Sequence, residues 1–138
     1  MALSVQRDST LSEAMLSIVR QLQSRDTTVR AHEAAHIAAG GGFITGGPSY
    51  SYQKGPDGRN YAVGGEVGID SSPIPHDPRA TIAKMEIVKA AALAPEQPSA
   101  ADQAVAAAAT QIQAQARIEL YRQSQQQPEP GAVVNLLV

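Results

Sequence analysis

Three consecutive glycines, Gly40, Gly41 and Gly42, divide this chain into two kinds of sequence. Before them lies alanine-rich sequence with helical spacing. After them come tyrosine, valine and glycine in short runs around turn residues. A glycine run of this kind ends a helix and lets the backbone change direction. The chain must therefore combine helices with a small sheet, and the expected class is α+β.

Composition narrows this further. The 138 residues suit one domain. Hydrophobic residues make up 43% of the chain, yet aromatics only 4%, with one Phe and no Trp. Much of the apolar content is alanine, so the expected core is small and the backbones pack closely. A domain of this size is marginally stable, and a bound metal would add to its stability. The net charge of -2 gives no reason to expect nucleic acid or an anionic membrane as partner. The absence of cysteine removes disulfides and thiolate ligands. No window is apolar enough to span a membrane. No export signal is visible at the start, which makes a cytoplasmic location the expectation.

Along the chain, residues 1–9 read as a loose lead-in. Thr10 and Glu13 form a capping-box pattern that opens a helix to about Ser24, with Leu11, Met15, Ile18 and Leu22 on one stripe. Asp26 can cap a second helix that ends at the glycines. Pro56-Asp57-Gly58 is turn chemistry, so residues 49–54 should pair with 59–64 in a hairpin, with a third short strand at 66–70. Asp77 followed by Pro78 starts a third helix, to about Ala94. Ser99 with Asp102 starts a fourth, carrying Val105, Ala109, Ile112, Ala116 and Leu120 on one stripe and ending near Gln123. Residues 10–123 form the expected domain. Residues 124–138 read as a flexible linker and an apolar tail, "AVVNLLV".

The second predicted helix carries "HEAAH". His32 and His36 lie four apart, hence on one helical face, where two imidazoles can share one Zn2+. Glu33 is displaced around the helix, too far to be an ideal co-ligand but placed to reach a water beside the ion. That is the position of a general base in the H-E-x-x-H pattern. A catalytic zinc needs a third protein ligand. Glu66, Asp70, His76 and Asp77 are the downstream candidates, and spacing leaves the choice open.

Several segments together resemble the SprA-related family of bacterial proteins, assigned as metallopeptidases through their H-E-x-x-H. They are "RDTTVRAHEAAHIAAGG", "GGPSYSYQKGPDGRNYAVGGEVGID", "SPIPHDPRATIAKMEIVKAAALAP" and "PSAADQAVAAAA". The resemblance covers roughly residues 10–120. It implies a small zincin-like α+β domain, the H-E-x-x-H helix packing with other helices and a short antiparallel hairpin. The family's Gly-Gly-Glu-Val falls on Gly64 to Val67, which implies Glu66 as third ligand. The family's proline-rich segment often has glycine where this chain has His76, which argues against His76.

The implied activity is hydrolysis of a peptide or protein substrate, with Zn2+ held by His32, His36 and Glu66 and with Glu33 as general base. Tyr61 is the favoured phenol for a further hydrogen bond to the developing oxyanion, with Tyr50 and Tyr52 as the other phenols nearby. Asp70 is a candidate acceptor for a ligand histidine's other ring nitrogen. Asp57 reads as a turn residue and Arg30 as a solvated one. A hairpin edge beside the site could hold substrate as an added strand. The alternative is a non-catalytic zinc-binding or interaction module. In that reading the tail docks on a partner, or mediates self-association.

Overall fold

A computed structural model describes residues 2–126, with side chains from residue 12 onward. Among the described residues there are three α-helices and one two-stranded antiparallel sheet, so the α+β expectation holds. Helix α1 spans Ala2–Gly40, strand β1 Ile44–Lys54, strand β2 Asn60–Ile69, helix α2 Pro78–Ala92 and helix α3 Ala100–Gln126. Residues 124–126 of the expected linker continue α3, and residues 127–138, with the apolar tail, lie outside the described residues.

Two expected helices are one. Thr10 lies inside α1 and opens nothing, and residues 2–9 belong to the helix. Asp26 does not cap a new helix. Its carboxylate accepts the backbone N–H of Ala62 on β2 at 2.7 Å and the Arg30 guanidinium at 2.9 Å. No glycine or proline interrupts residues 2–39, so continuing the helix costs only modest propensity at Ser24, Asp26, Thr27 and Thr28. Thr27 and Thr28 return their hydroxyls to the carbonyls of Gln23 and Ser24. Of the stripe expected in the first half, Leu22 is buried, whereas Met15 and Ile18 are each 45% exposed.

The glycine run ends α1 as expected. Gly41 takes φ +52, a left-handed conformation that favours glycine. A short 3-10 turn over Gly41–Phe43 leads straight into β1. The hairpin forms around Pro56-Asp57-Gly58, closed by Gly55 N–H to Arg59 O and Gly58 N–H to Gly55 O. Both strands run longer than expected. The third strand anticipated at 66–70 is the continuation of β2, which pairs back to Ile44 through Ile69. A bulge between Ser51 and Tyr52 absorbs one residue of register, leaving Tyr50 opposite Gly65 and Ser49 opposite Glu66.

Helix α2 starts as read. Asp77 accepts the Ala80 N–H at 3.0 Å and Pro78 occupies the first turn. Helix α3 starts on a reciprocal capping box. Ser99 N–H donates to Asp102 at 2.8 Å, and Asp102 N–H donates to the Ser99 hydroxyl at 3.0 Å. The core lies where α2 and α3 pack together, on Met85, Val88 and Ala109, closed by Phe43, Ile69, Val105 and Ile112. It is as small as the alanine content implied.

Buried polar groups are tied down around this core. Gln113 donates to Ile82 O and to Glu86. Lys84 is 5% exposed and pairs with Asp70 at 2.9 Å. Contacts with Ser72 and then Lys84 hold the Asp70 carboxyl well below the ordinary carboxylate range. A depressed folded-state pKa adds stability above the unfolded value, and that stability is lost as pH falls through the folded value. Asp70→Asn should therefore lower the thermal midpoint at pH 7. The gap to wild type should narrow from about pH 4 downward, read by thermal melts across pH. A constant gap would mean that the carboxylate charge is not what Lys84 requires.

Candidate metal centre

Contacts between α1 and β2 set one wall of the site. Asp26 and Glu33 are seven residues apart, two helical turns, or about 10 Å. Ala62 and Gly65 are three residues apart on β2, but the bulge puts one extra residue between them, so they span only the two-residue step from Tyr52 to Tyr50 on β1. Asp26 holds Ala62 N–H, and Arg25 Nε donates to Val63 O at 3.0 Å. With the strand fixed there, Gly65 comes to lie against Glu33. A Cβ at Gly65 would sit 3.2 Å from Glu33 Cγ and Oε1, and 2.9 Å from Tyr50 Cδ1. Glycine at 65 leaves the space that Glu33 and Tyr50 fill.

The "HEAAH" turn faces α2 and α3. His36 is 3% exposed and Glu33 4%. His36 Nδ1 donates to Ala91 O on α2 at 2.8 Å, since a carbonyl can only accept. This fixes the tautomer, and in the neutral ring the lone pair is on Nε2. That atom lies 3.2 Å from His32 Nε2 and 3.2 Å from Asp102 Oδ1. His32 Nε2 lies 3.0 Å from Asp102 Oδ2. Three ligand-type side chains, His32, His36 and Asp102, thus converge within 4.8 Å.

This spacing suits an ion. Tetrahedral zinc with bonds of about 2.0–2.1 Å sets its ligand atoms about 3.3 Å apart. Two imidazole nitrogens and a carboxylate are zinc's ordinary donors. Beside them, Glu33 Oε2 is buried and finds no hydrogen-bond partner among the described residues. An unpartnered buried carboxylate oxygen is costly and calls for a donor such as water. Burial raises the Glu33 carboxyl above its ordinary value, opposed by His32 and His36. Burial also pushes Asp102 up, but its contacts with Ser99 and with the two histidines outweigh that and leave it lowered.

These groups line a cleft of about 440 Å³, together with Gly65, Glu66, Val67, Ile69, Ser99 and Val105. That volume falls in the range of small-molecule and short-peptide sites. His32, Glu33 and His36 are thus brought together as the spacing predicts. Glu66 lies on the exposed rim of the same cleft, but the convergent set contains Asp102. Sequence reading saw Asp102 only as a helix cap. The Ser-x-x-Asp pattern was visible, but nothing in it reports a distance to histidines some 70 residues upstream.

Other candidates lie elsewhere. The Tyr61 hydroxyl donates to Asp57 in the hairpin turn and lines no part of the cleft. The expected oxyanion role for Tyr61 is therefore corrected to a fold role: the ring is buried and its phenol closes the turn. Asp70 serves Lys84, not a histidine. His76, at φ +61, lies in a second concavity between the proline-rich loop and α3. Asp77 caps α2. Tyr50 and Tyr52 pack edge to face at 6.2 Å between centroids, with the Arg30 guanidinium over Tyr50 at 4.8 Å. Arg30 is half exposed, as a solvated arginine would be, and it also pairs with the Asp26 carboxylate and stacks over Tyr50.

The profile of the SprA-related family matches residues 4–134, nearly the whole chain, and the chain belongs to that family. No curated protein and no solved structure matches it.

Two outcomes follow from this geometry. Tyr61→Phe should leave any metal binding and any hydrolysis within about twofold of wild type and lower the melting temperature instead. A large loss of turnover with unchanged stability would restore Tyr61 to the site. Gly65→Ala must displace Glu33 or Tyr50, so it should reduce any hydrolysis by about tenfold or more while leaving any metal stoichiometry intact. Equal activity in that variant would show that Glu33 has room to move.

Proposed function

We propose that this SprA-related chain is a zinc-dependent metallopeptidase of zincin-like design. The observation that carries the reading is Glu33. Its Oε2 is buried without a partner, one residue from His32, whose Nε2 lies 3.2 Å from that of His36. A purely structural zinc site closes its coordination with protein ligands and has no use for such a group.

His32 and His36 would hold Zn2+ through Nε2, with an acidic ligand from the cleft wall. The ion would supply Lewis acidity toward a substrate carbonyl and make water more acidic. Each residue then has a definite task. Ala91 O orients the His36 ring through Nδ1 and so presents Nε2 to the site. Glu33 accepts a proton from water as its oxygen bonds to the carbonyl carbon. When the C–N bond breaks, Glu33 passes that proton to the departing amine nitrogen. Its raised pKa makes it a stronger base than a solvated carboxylate. The rim residues Glu66 and Val67 face the space a peptide would enter. Denatured protein or an unstructured peptide is the substrate class that suits an open cleft of this size.

The test compares wild type, Glu33→Gln and His36→Ala, loaded with zinc and assayed on a denatured protein and a fluorogenic peptide library. Glu33→Gln should keep about one zinc and lose about 10²- to 10⁴-fold in turnover, the usual contribution of a positioned general base. His36→Ala should lose both metal and activity. Hydrolysis that survives Glu33→Gln or a chelator unchanged would sink the peptidase reading. Tight zinc binding with no hydrolysis of any peptide would favour the non-catalytic metal-binding module.

A further inference from the structure

Resting on that zinc reading, we propose that the third protein ligand is Asp102, not Glu66, and that the ion bolts the start of α3 to α1. The placement of one carboxylate carries this. Asp102 Oδ2 lies 3.0 Å from His32 Nε2, and its Oδ1 lies 3.2 Å from His36 Nε2. Glu66 sits on an exposed strand position and makes no hydrogen bond to either histidine.

The lone pairs make the case for a cation. His36 Nδ1 is committed as donor to Ala91 O, so Nε2 is the ring atom turned toward the Asp102 carboxylate. Two acceptors at that distance repel unless a proton or a metal ion lies between them. His32 Nε2 can supply one proton to one neighbour. It cannot satisfy both Asp102 and His36 in a neutral pair. An ion at the convergence resolves all three contacts at once.

The mechanical consequence follows from the packing. Helix α3 packs along α2 and has little direct contact with α1, whereas α1 lies against β2 and α2. Among the described residues, Asp102 is therefore the principal polar link between α1 and α3. The same carboxylate also accepts Ser99 N–H at 2.8 Å and so helps start α3. Ligation and helix initiation share one residue. Binding the ion should order the first turns of α3 and close one wall of the cleft, which includes Ser99, Asp102 and Val105.

The chain has no cysteine, which permits a positive test. Full-length wild type, Asp102→Asn, Glu66→Gln, Asp102→Cys and Glu66→Cys would each be freed of metal and titrated with Zn2+ and with Co2+. Amide exchange over residues 99–106 would be followed with and without zinc. Asp102→Asn should weaken zinc binding by more than about 100-fold, beyond the 10- to 100-fold typical of residues that only support a ligand. Glu66→Gln should stay within about threefold of wild type.

Zinc should slow exchange over 99–106 in wild type and Glu66→Gln, but not in Asp102→Asn. Asp102→Cys with Co2+ should give a thiolate-to-cobalt charge-transfer band, which a merely folded or misfolded variant cannot produce. A band from Glu66→Cys and none from Asp102→Cys would overturn the assignment while leaving the zinc reading standing. Wild type that binds neither ion would overturn both.

Discussion

How β2 is fastened along α1 decides what lies against Glu33. Two polar contacts, Asp26 to Ala62 N–H and Arg25 to Val63 O, hold the strand against two turns of helix. Between Ala62 and Gly65 the strand carries one extra residue relative to β1. With that bulge in place, Gly65 lies over Glu33. A strand one residue out of register would present its opposite face and put a side chain where Glu33 now packs. The bulge at Ser51 and Tyr52 belongs to the same arrangement, since it sets which residues of β1 stand opposite Gly65 and Glu66.

The small core explains why so much of this molecule is held by polar contacts. Alanine lets α2 and α3 approach closely but buries little area per residue. Met85 and Val88 are the largest fully buried side chains described. Around them, Lys84, Gln113, His36 and Glu33 are buried polar groups. Lys84 and Gln113 are satisfied within the fold, by Asp70 and by Ile82 and Glu86. His36 is satisfied on one nitrogen. Glu33 is left with one oxygen unpartnered. The polar groups thus separate by whether their hydrogen bonding is complete, and those of the proposed site are the incomplete ones. The tyrosines divide on the same principle: Tyr61 spends its hydroxyl on the turn, and Tyr50 fills the space that Gly65 leaves.

Two errors of sequence reading have the same origin. Asp26 carries the residue type of a helix cap, and Asp102 sits in the pattern of one. For Asp26 the cap was wrong, because the helix had no reason to break and the carboxylate was needed by a distant strand. For Asp102 the cap was right but incomplete, because a capping carboxylate has a second oxygen free to face elsewhere. Local pattern describes what a side chain can do for its own turn of chain. Whether a partner from elsewhere arrives within 3 Å is decided by packing.

The sequence by itself determined where several elements begin or end and which side chains share one helical face. Periodicity, glycine termination, Pro-Asp-Gly and the Asp-Pro start are local signals, and each worked through backbone conformation. The i, i+4 spacing placed His32 and His36 side by side with Glu33 beside them, because helix geometry is the same in any fold. Tertiary structure alone decided what stands across from that face: Ala91 O on His36, Asp102 between the histidines, Gly65 against Glu33 and Tyr61 turned away to Asp57. Those positions depend on strand register and on the angle at which three helices meet, and both are set by contacts between residues far apart in the chain, which no local spacing encodes.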